Sequence, residues 1–191
     1  MNEDQLVTRL KGKHPEAVQE LVSAYGDRLL RSAFLLCGNE AEAQDIVQDT
    51  FLQAMRSVHR FRGQSTIYTW LHAILLNLTR HYHRKHQRMV YDDTAAEREI
   101  VLTDENPAGL DAGAASSALR EALGQLSDAH REVIILRYYE DMKLHEIASH
   151  LGISKGTVKS RLHHAIGQMQ KFLPGEMNLF GAAGTNLIEK R

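Results

Sequence analysis

Between Phe61 and Arg88 the chain reads FRGQSTIYTWLHAILLNLTRHYHRKHQR, a stretch without one acid in a protein that carries 24 acids against 23 lysines and arginines. Two chemistries are available there. At helical spacing, about 100° per residue, Trp70, Ala73, Asn77, His81, Arg84 and Arg88 fall in one stripe. An aromatic ring, an amide and several cations in a row suit single-stranded nucleic acid. Cations track phosphates, aromatic faces stack on bases, and an amide bonds an unpaired base edge. A lone tryptophan on a helix is more often a core residue; it is the company of the stripe that argues for a surface role. The other chemistry is metal binding by His81, His83 and His86 in HYHRKH. His81 and His83 are two residues apart and do not share a helix face, no cysteine accompanies them, and basic neighbours repel a cation. No metal site is expected.

A second constellation lies in EIASHLGISKGTVKSRLHHAIGQM. Ala148 is small where two helices would cross closely, Gly152 suits a turn, and Ser154 can cap the following helix. Val158, Leu162, Ala165, Ile166 and Met169 then share one side, so Gly156, Ser160, His163 and His164 face outward, with Lys159 and Arg161 on the flanks. This is the logic of a helix-turn-helix: outward donors reach base edges and flanking cations reach phosphates. The bland alternative is a plain helical hairpin with solvated bases.

The elements that must hold these residues follow from the apolar spacing. Pro15 opens a helix carrying Val18, Leu21, Val22, Tyr25, Leu29 and Leu30, with an interruption or bend expected near Gly26. After Gly38-Asn39 a second helix buries Ala43, Ile46, Val47, Phe51, Ala54 and Val58, while Glu42, Asp45, Gln48, Asp49 and Gln53 point away from that stripe. Glu40 and Glu42 are explained by the helix dipole; Asp45 and Asp49 lie farther along and suit a partner surface. A third helix begins near Thr66, after a loop in which Gly63 permits a tight turn, and buries Ile67, Leu71, Ile74, Leu75, Leu78 and Tyr82.

Charge is distributed unevenly along the chain. Residues 56–88 hold seven bases and no acid, and 153–173 hold Lys155, Lys159, Arg161 and Lys171, again with no acid. Between the two basic blocks, residues 91–115 hold one base and seven acids. Single charge runs are commonly solvated faces; two together argue for a polyanionic partner. The acidic bridge, YDDTAAEREIVLTDENPAGLDAGAASS, has one short apolar group, Ile100 to Leu102, and reads as a flexible linker. The expected fold class is all-α, with two small helical domains, a helical bundle and a helix-turn-helix, joined by that linker. The expected boundaries are 1–90, linker 91–117, second domain 118–174 and tail 175–191. A single cysteine, Cys37, forms no internal disulfide and is expected to be a small buried residue; with no export signal or membrane span legible, a cytoplasmic protein without stable membrane insertion is expected.

Taken together, AEAQDIVQDTFLQAMRSVHRFRGQSTIYTWLHAILLNLTRHYHR and LREALGQLSDAHREVIILRYYEDMKLHEIASHLGISKGTVKSRLHHAIGQM resemble the second and fourth regions of an extracytoplasmic-function sigma factor of bacterial RNA polymerase. Both blocks in this order, without the intervening third region, make the resemblance specific. It implies that Asp45, Gln48, Asp49 and Gln53 dock the coiled coil of the polymerase β′ subunit. It implies that Phe61, Arg62, Gly63, Gln64 and Ser65 of the loop, with Trp70, Asn77, Arg80, His81 and Arg84 on the next helix, melt the promoter −10 element and capture an extruded base. Lys155, Gly156, Thr157, Lys159, Ser160, Arg161, His163 and His164 would read the −35 element in the major groove. His163 and His164 stand where arginine or an aromatic is frequent in the family, which leaves the preferred bases open.

The implied partners are core RNA polymerase, through the β′ coiled coil and the β flap, promoter DNA, and a restraining anti-sigma factor. No cofactor, metal or active site of the chain's own is implied, and neither a Walker loop nor a Gly-rich dinucleotide signature is present. Two other classes compete: a conventional helix-turn-helix regulator whose first domain senses a ligand, and a metal-binding or hydrolytic protein built on the HYHRKH histidines.

Overall fold

The computed structural model describes residues 2–91 and 114–172, with side chains described from 2 to 84 and from 118 to 172. Every regular element among the described residues is helical. Most of the acidic linker and the tail beyond residue 172 lie outside the described residues. The chain divides into two compact units, Met1–Glu97 and Arg98–Arg191.

The first unit begins with α1, Glu3–Lys11, whose first turn is capped by Asn2: its side chain accepts from the Asp4 N–H at 3.1 Å and the Gln5 N–H at 3.4 Å. Helix α2, Pro15–Cys37, starts on the proline expected to start it and ends on Gly38, whose φ of 76° lets its N–H reach the Phe34 carbonyl at 2.8 Å. It runs through Gly26 without the expected interruption. A Cβ at Gly26 would make ordinary contact with Val22 at 3.7 Å, and the flanking apolar stripe packs on both sides, which overrides the weak helix propensity of one glycine. Helix α3, Glu40–Ser57, is capped by Asn39, which accepts the Glu42 N–H at 2.9 Å, and passes into a short 3-10 turn, Val58–Arg60.

Helix α4, Ile67–Tyr91, is the longest element and packs against both α2 and α3. Leu21, Leu29, Phe34, Ile46, Ile67, Leu71 and Leu75 are fully buried where the three meet. A polar pair sits in this apolar setting: Ser32 of α2 and His72 of α4, both buried, are hydrogen-bonded at 2.7 Å, which satisfies two groups that would otherwise be costly to bury. Cys37 is buried, as expected.

The second unit comprises α5, Ala114–Gly124; α6, Asp128–Ile134; a π-helical segment, Ile135–Tyr139; α7, Leu144–Leu151; and α8, Lys155–Met169. Helix α5 starts inside the stretch read as linker, where Ala114 and Ala115 favour helix, and α4 likewise includes Tyr91. Buried Arg131 ends α5 from another helix: Nε donates to the Leu123 carbonyl at 2.9 Å and Nη2 to those of Leu126 at 2.8 Å and Gly124 at 3.2 Å. One guanidinium thereby binds two carbonyls of the last turn of α5 and one of the turn that follows it. Among the described residues no helix is long and apolar enough to cross a membrane.

At the N-terminal edge of the first unit, Tyr25 donates its hydroxyl to Glu3 Oε1 at 3.0 Å. Burial first, then that hydrogen bond and the carboxylate charge, push the Tyr25 phenol from 10.0 up to about 12. A phenol raised in the fold binds its proton more tightly there than in the unfolded chain. Its contribution to stability is therefore complete below pH 10 and lost as the pH rises toward about 12. Replacing Tyr25 by Phe should flatten the fall in urea midpoint across that interval; identical slopes for both proteins would contradict this assignment.

Candidate nucleic-acid interface

The loop before α4 is built from its two ends. Phe61 donates its N–H to the Val58 carbonyl at 3.1 Å, closing the 3-10 turn, and its ring lies against Trp70 with centroids 5.2 Å apart and planes tilted by 45°. Gly63 sits at a φ of 70°, in the left-handed region, with open space where a Cβ would stand, so the backbone conformation and not crowding favours glycine. Arg62, Gln64 and Ser65 are exposed. Thr66 then caps α4, its Oγ1 accepting the Thr69 N–H at 3.1 Å.

On α4 the two expected stripes are distinct. Ile67, Leu71, Ile74 and Leu75 are buried, as are Leu76 and Thr79, while Asn77, His81 and Arg84 are exposed and Trp70, Ala73 and Arg80 are half-buried. Trp70 is thus neither a core residue nor a bare one: one face supports Phe61. Asn77 follows two turns later, about 10 Å along the helix axis. The side chain of Arg88 lies outside the described residues, as does that of His86. Among the described residues no group of three histidines, cysteines or carboxylates is arranged to hold a metal ion.

The outer face of α3 differs from expectation at one place. Asp45, Gln48 and Gln53 are exposed, but Asp49 is half-buried and accepts the Tyr82 hydroxyl at 3.0 Å. Tyr82, expected in the core stripe of α4, has its ring half-buried and its hydroxyl turned to this acidic face. Its phenol is pushed up by burial, then by the hydrogen bond to Asp49 and the charges of Asp49, Asp45 and Glu42. The same face carries Leu52, 49% exposed, which sequence reasoning passed over. Its signal was an apolar residue out of register with Ala43, Ile46, Thr50 and Ala54 yet seven beyond Asp45.

In the second unit α7 and α8 form the expected helix-turn-helix. Gly152 closes α7 at a φ of 66°, Ile153 donates to the Ala148 carbonyl at 3.0 Å, and Ser154 Oγ accepts the Thr157 N–H at 3.0 Å. Val158, Leu162, Ala165, Ile166 and Met169 are all buried. Outward stand Lys155, Gly156, Ser160, His163 and His164, with Lys159 and Arg161 half-buried on the flanks. The Thr157 hydroxyl lies 2.8 Å from Ser154 Oγ, so its polar group serves the cap. His130 of α6, absent from the sequence reading, joins this surface: Nδ1 is 3.1 Å from Gln168 Oε1 and its ring centroid is 6.3 Å from that of His164. Periodicity within α8 could not have found it, because the proximity is made by packing of α6 on α8.

Basic and amide groups exposed on α4 and α8 can bond phosphates and base edges, and α8 presents an N-terminus without acids in its first turn. The difference at α3 is measurable. Asp49→Ala strips an acceptor from a half-buried tyrosine and should cost about 1 kcal/mol in urea unfolding, whereas Asp45→Ala should stay within about 0.5 kcal/mol of the parent. Equal costs would mean that the Tyr82 bond contributes nothing.

Comparison with known proteins matches residues 21–89 to the family model described as Sigma-70 region 2 and residues 122–171 to Sigma-70, region 4. The chain is 30% identical over 161 residues to RNA polymerase sigma factor YlaC of Bacillus subtilis, covering 83% of this chain and 93% of that one. It is 35% identical over 142 residues to ECF RNA polymerase sigma factor SigL of Mycobacterium tuberculosis, covering 72% and 78% respectively. Among solved structures it is similar to the sigma factor RpoE of Bartonella quintana, crystallised with the anti-sigma factor NepR, with a TM-score of 0.69 and 27% identity over 84% of this chain and 97% of that one. With both regions present in order and full-length relatives aligned across them, the chain belongs to the sigma-70 family of bacterial RNA polymerase sigma factors, in its extracytoplasmic-function class.

Proposed function

We propose that the chain binds core RNA polymerase and directs it to promoters by reading duplex DNA at the −35 element with α8 and unpaired DNA at the −10 element with α4 and the loop before it. The observation that carries this reading is the pair of acid-free outward faces, on α4 and on α8, in a chain that is otherwise slightly acidic. Residues 1–90 would form the −10 and polymerase-binding domain and 118–174 the −35 domain, with 91–117 as linker and 175–191 as tail.

Roles follow from the chemistry of each face. Asp45, Gln48 and Gln53, with Leu52 at their centre, offer carboxylate, amides and an apolar contact to the β′ coiled coil; Asp49 contributes while held by Tyr82. Phe61 and Trp70 offer stacking faces, Asn77 an amide for one unpaired base, and Arg62, Arg80, His81 and Arg84 charge or donors for the strand. Unstacking a base costs a few kcal/mol, and stacking and hydrogen bonds in the protein offset it without nucleotide hydrolysis. On α8, Lys155, Lys159 and Arg161 suit phosphates, and Ser160, His163 and His164 suit base edges. Gly156 leaves room for close backbone approach. The polymerase supplies the catalysis, so the chain needs no active site or cofactor. The second domain would rest on the β flap, the protein would act in the cytoplasm, and, by likeness to the Bartonella factor solved with its inhibitor, an anti-sigma protein would restrain it.

Run-off transcription on a pool of genomic fragments tests the reading: discrete start sites should arise when this chain is added to core polymerase and vanish without it. On a promoter so recovered, Lys159→Ala and Arg161→Ala should each weaken −35 duplex binding and reduce the slope of log affinity against log salt by about 1. Affinity that falls with an unchanged slope would remove both from the phosphate contacts.

A further inference from the structure

Helix α1 lies outside both matched segments, the first of which begins at residue 21, yet it touches both ends of the loop that precedes α4. Lys11 Nζ donates to the Phe61 carbonyl at 2.9 Å, where the loop begins. Glu3 Oε2 accepts the Ile67 N–H at 3.4 Å, where the loop ends and α4 starts. Helix α4 has no acid in its own first turn; Glu3 brings a carboxylate to that N-terminus from another helix, where the dipole favours it.

The helix that carries both residues is firmly seated. Leu6 and Leu10 are fully buried and seat α1, which packs on α2 and on the 3-10 turn. The α1–α2 connection folds back tightly, Lys13 donating to the Leu10 carbonyl at 3.0 Å and His14 to that of Arg9 at 3.1 Å, and Arg9 pairs with Glu20 across it. Glu3 is oriented by the Tyr25 hydroxyl at 3.0 Å; the Tyr25 ring lies 5.8 Å from that of Tyr68 on α4, over which Arg28 stacks at 3.9 Å.

We propose that α1 is a positioning element for base reading: Lys11 and Glu3 pin the two ends of the Phe61–Thr66 loop so that Phe61 and Trp70 are set before the unpaired strand arrives. The inference rests on the reading of that loop and of α4 as the −10 surface. Its physical content is preorganisation. A glycine-containing loop that must be ordered on binding subtracts that ordering cost from affinity, and a loop already held does not. The effect belongs to the bound strand and not to polymerase docking, which uses a different helix.

The test uses holoenzyme reconstituted from the full chain and core polymerase, and labelled single-stranded DNA 20-mers with a randomised central window. The parent protein should enrich a base pattern. The double variant Glu3→Ala, Lys11→Met should bind the enriched oligonucleotide about tenfold more weakly, the scale of two modest hydrogen bonds, with core affinity unchanged and the fold retained at the assay temperature. Lys11→Arg should bind as the parent does, and Lys11→Met alone about threefold more weakly. Binding by the double variant within twofold of the parent would overturn the proposal. So would a parallel loss of core affinity, which would make α1 a support of the whole domain, or a Lys11→Arg variant as weak as Lys11→Met. A parent protein that enriches no pattern would instead overturn base reading by this surface, and the inference with it.

Discussion

Helix α4 must satisfy two neighbours at once, and the first unit is arranged around that constraint. One side is buried against α2 and α3 through Ile67, Leu71 and Leu75, and the neighbouring stripe presents half-buried Trp70 with exposed Asn77, His81 and Arg84. Two polar ties across the packing fix its rotation and translation as apolar contacts alone do not. Ser32 bonds buried His72 at 2.7 Å, and Asp49 of α3 bonds Tyr82 at 3.0 Å. Hydrogen bonds are directional, and a slip of α4 by one residue would break the Ser32–His72 bond in a buried setting, a penalty of about 1–3 kcal/mol. In a protein that acts by holding a few side chains against DNA, register is the quantity worth specifying.

The Tyr82–Asp49 bond also joins the face proposed for polymerase to the helix proposed for the −10 strand. Docking on α3 and base reading on α4 are thus mechanically contiguous within one small bundle. The second unit reaches rigidity by a different route. Its elements are short, and Arg131, 2% exposed, gathers the carbonyls at the end of α5 while its neighbours Val133, Ile134, Ile135 and Leu136 fill the core. The π-helical segment Ile135–Tyr139 ends with Glu140 donating to the Ile135 carbonyl at 2.9 Å, and Asp141 then takes a φ of 53° to lead into α7. With α6 packed on α8, Lys155, Gly156, Ser160, His163 and His164 stay exposed.

Much of this was legible in the sequence because apolar spacing and cap residues are local signals. Pro15, Gly38-Asn39, Thr66, Gly152 and Ser154 each mark the helix end they were read to mark. The misreadings have a common cause. Gly26 was given the weight of its propensity, and the packing of α2 on two neighbours outweighed it. Asp49 and Tyr82 were assigned to opposite environments by helical angle, which cannot see that a long phenol reaches around α4 to a carboxylate thirty-three positions earlier. Contacts between distant segments left no mark at all: His130 beside His164, Arg131 on α5, and Glu3 and Lys11 at the two ends of one loop. The face of α3 was read as polar because its charged residues were counted and Leu52 was not.

Asn77 is the residue on which the account turns, since it is exposed, lies on the acid-free stripe, and has an amide able to bond an unpaired base. The direct measurement is permanganate reactivity of promoter thymines with holoenzyme carrying Asn77→Ala, on a duplex template and on one with a pre-melted bubble. The account predicts intact core binding, lost discrimination at one −10 position, slower melting on duplex by a barrier of about 1–3 kcal/mol, and recovery of much of the rate on the bubble. An equal defect on both templates, or an unchanged base preference, would contradict it and make Asn77 a structural residue.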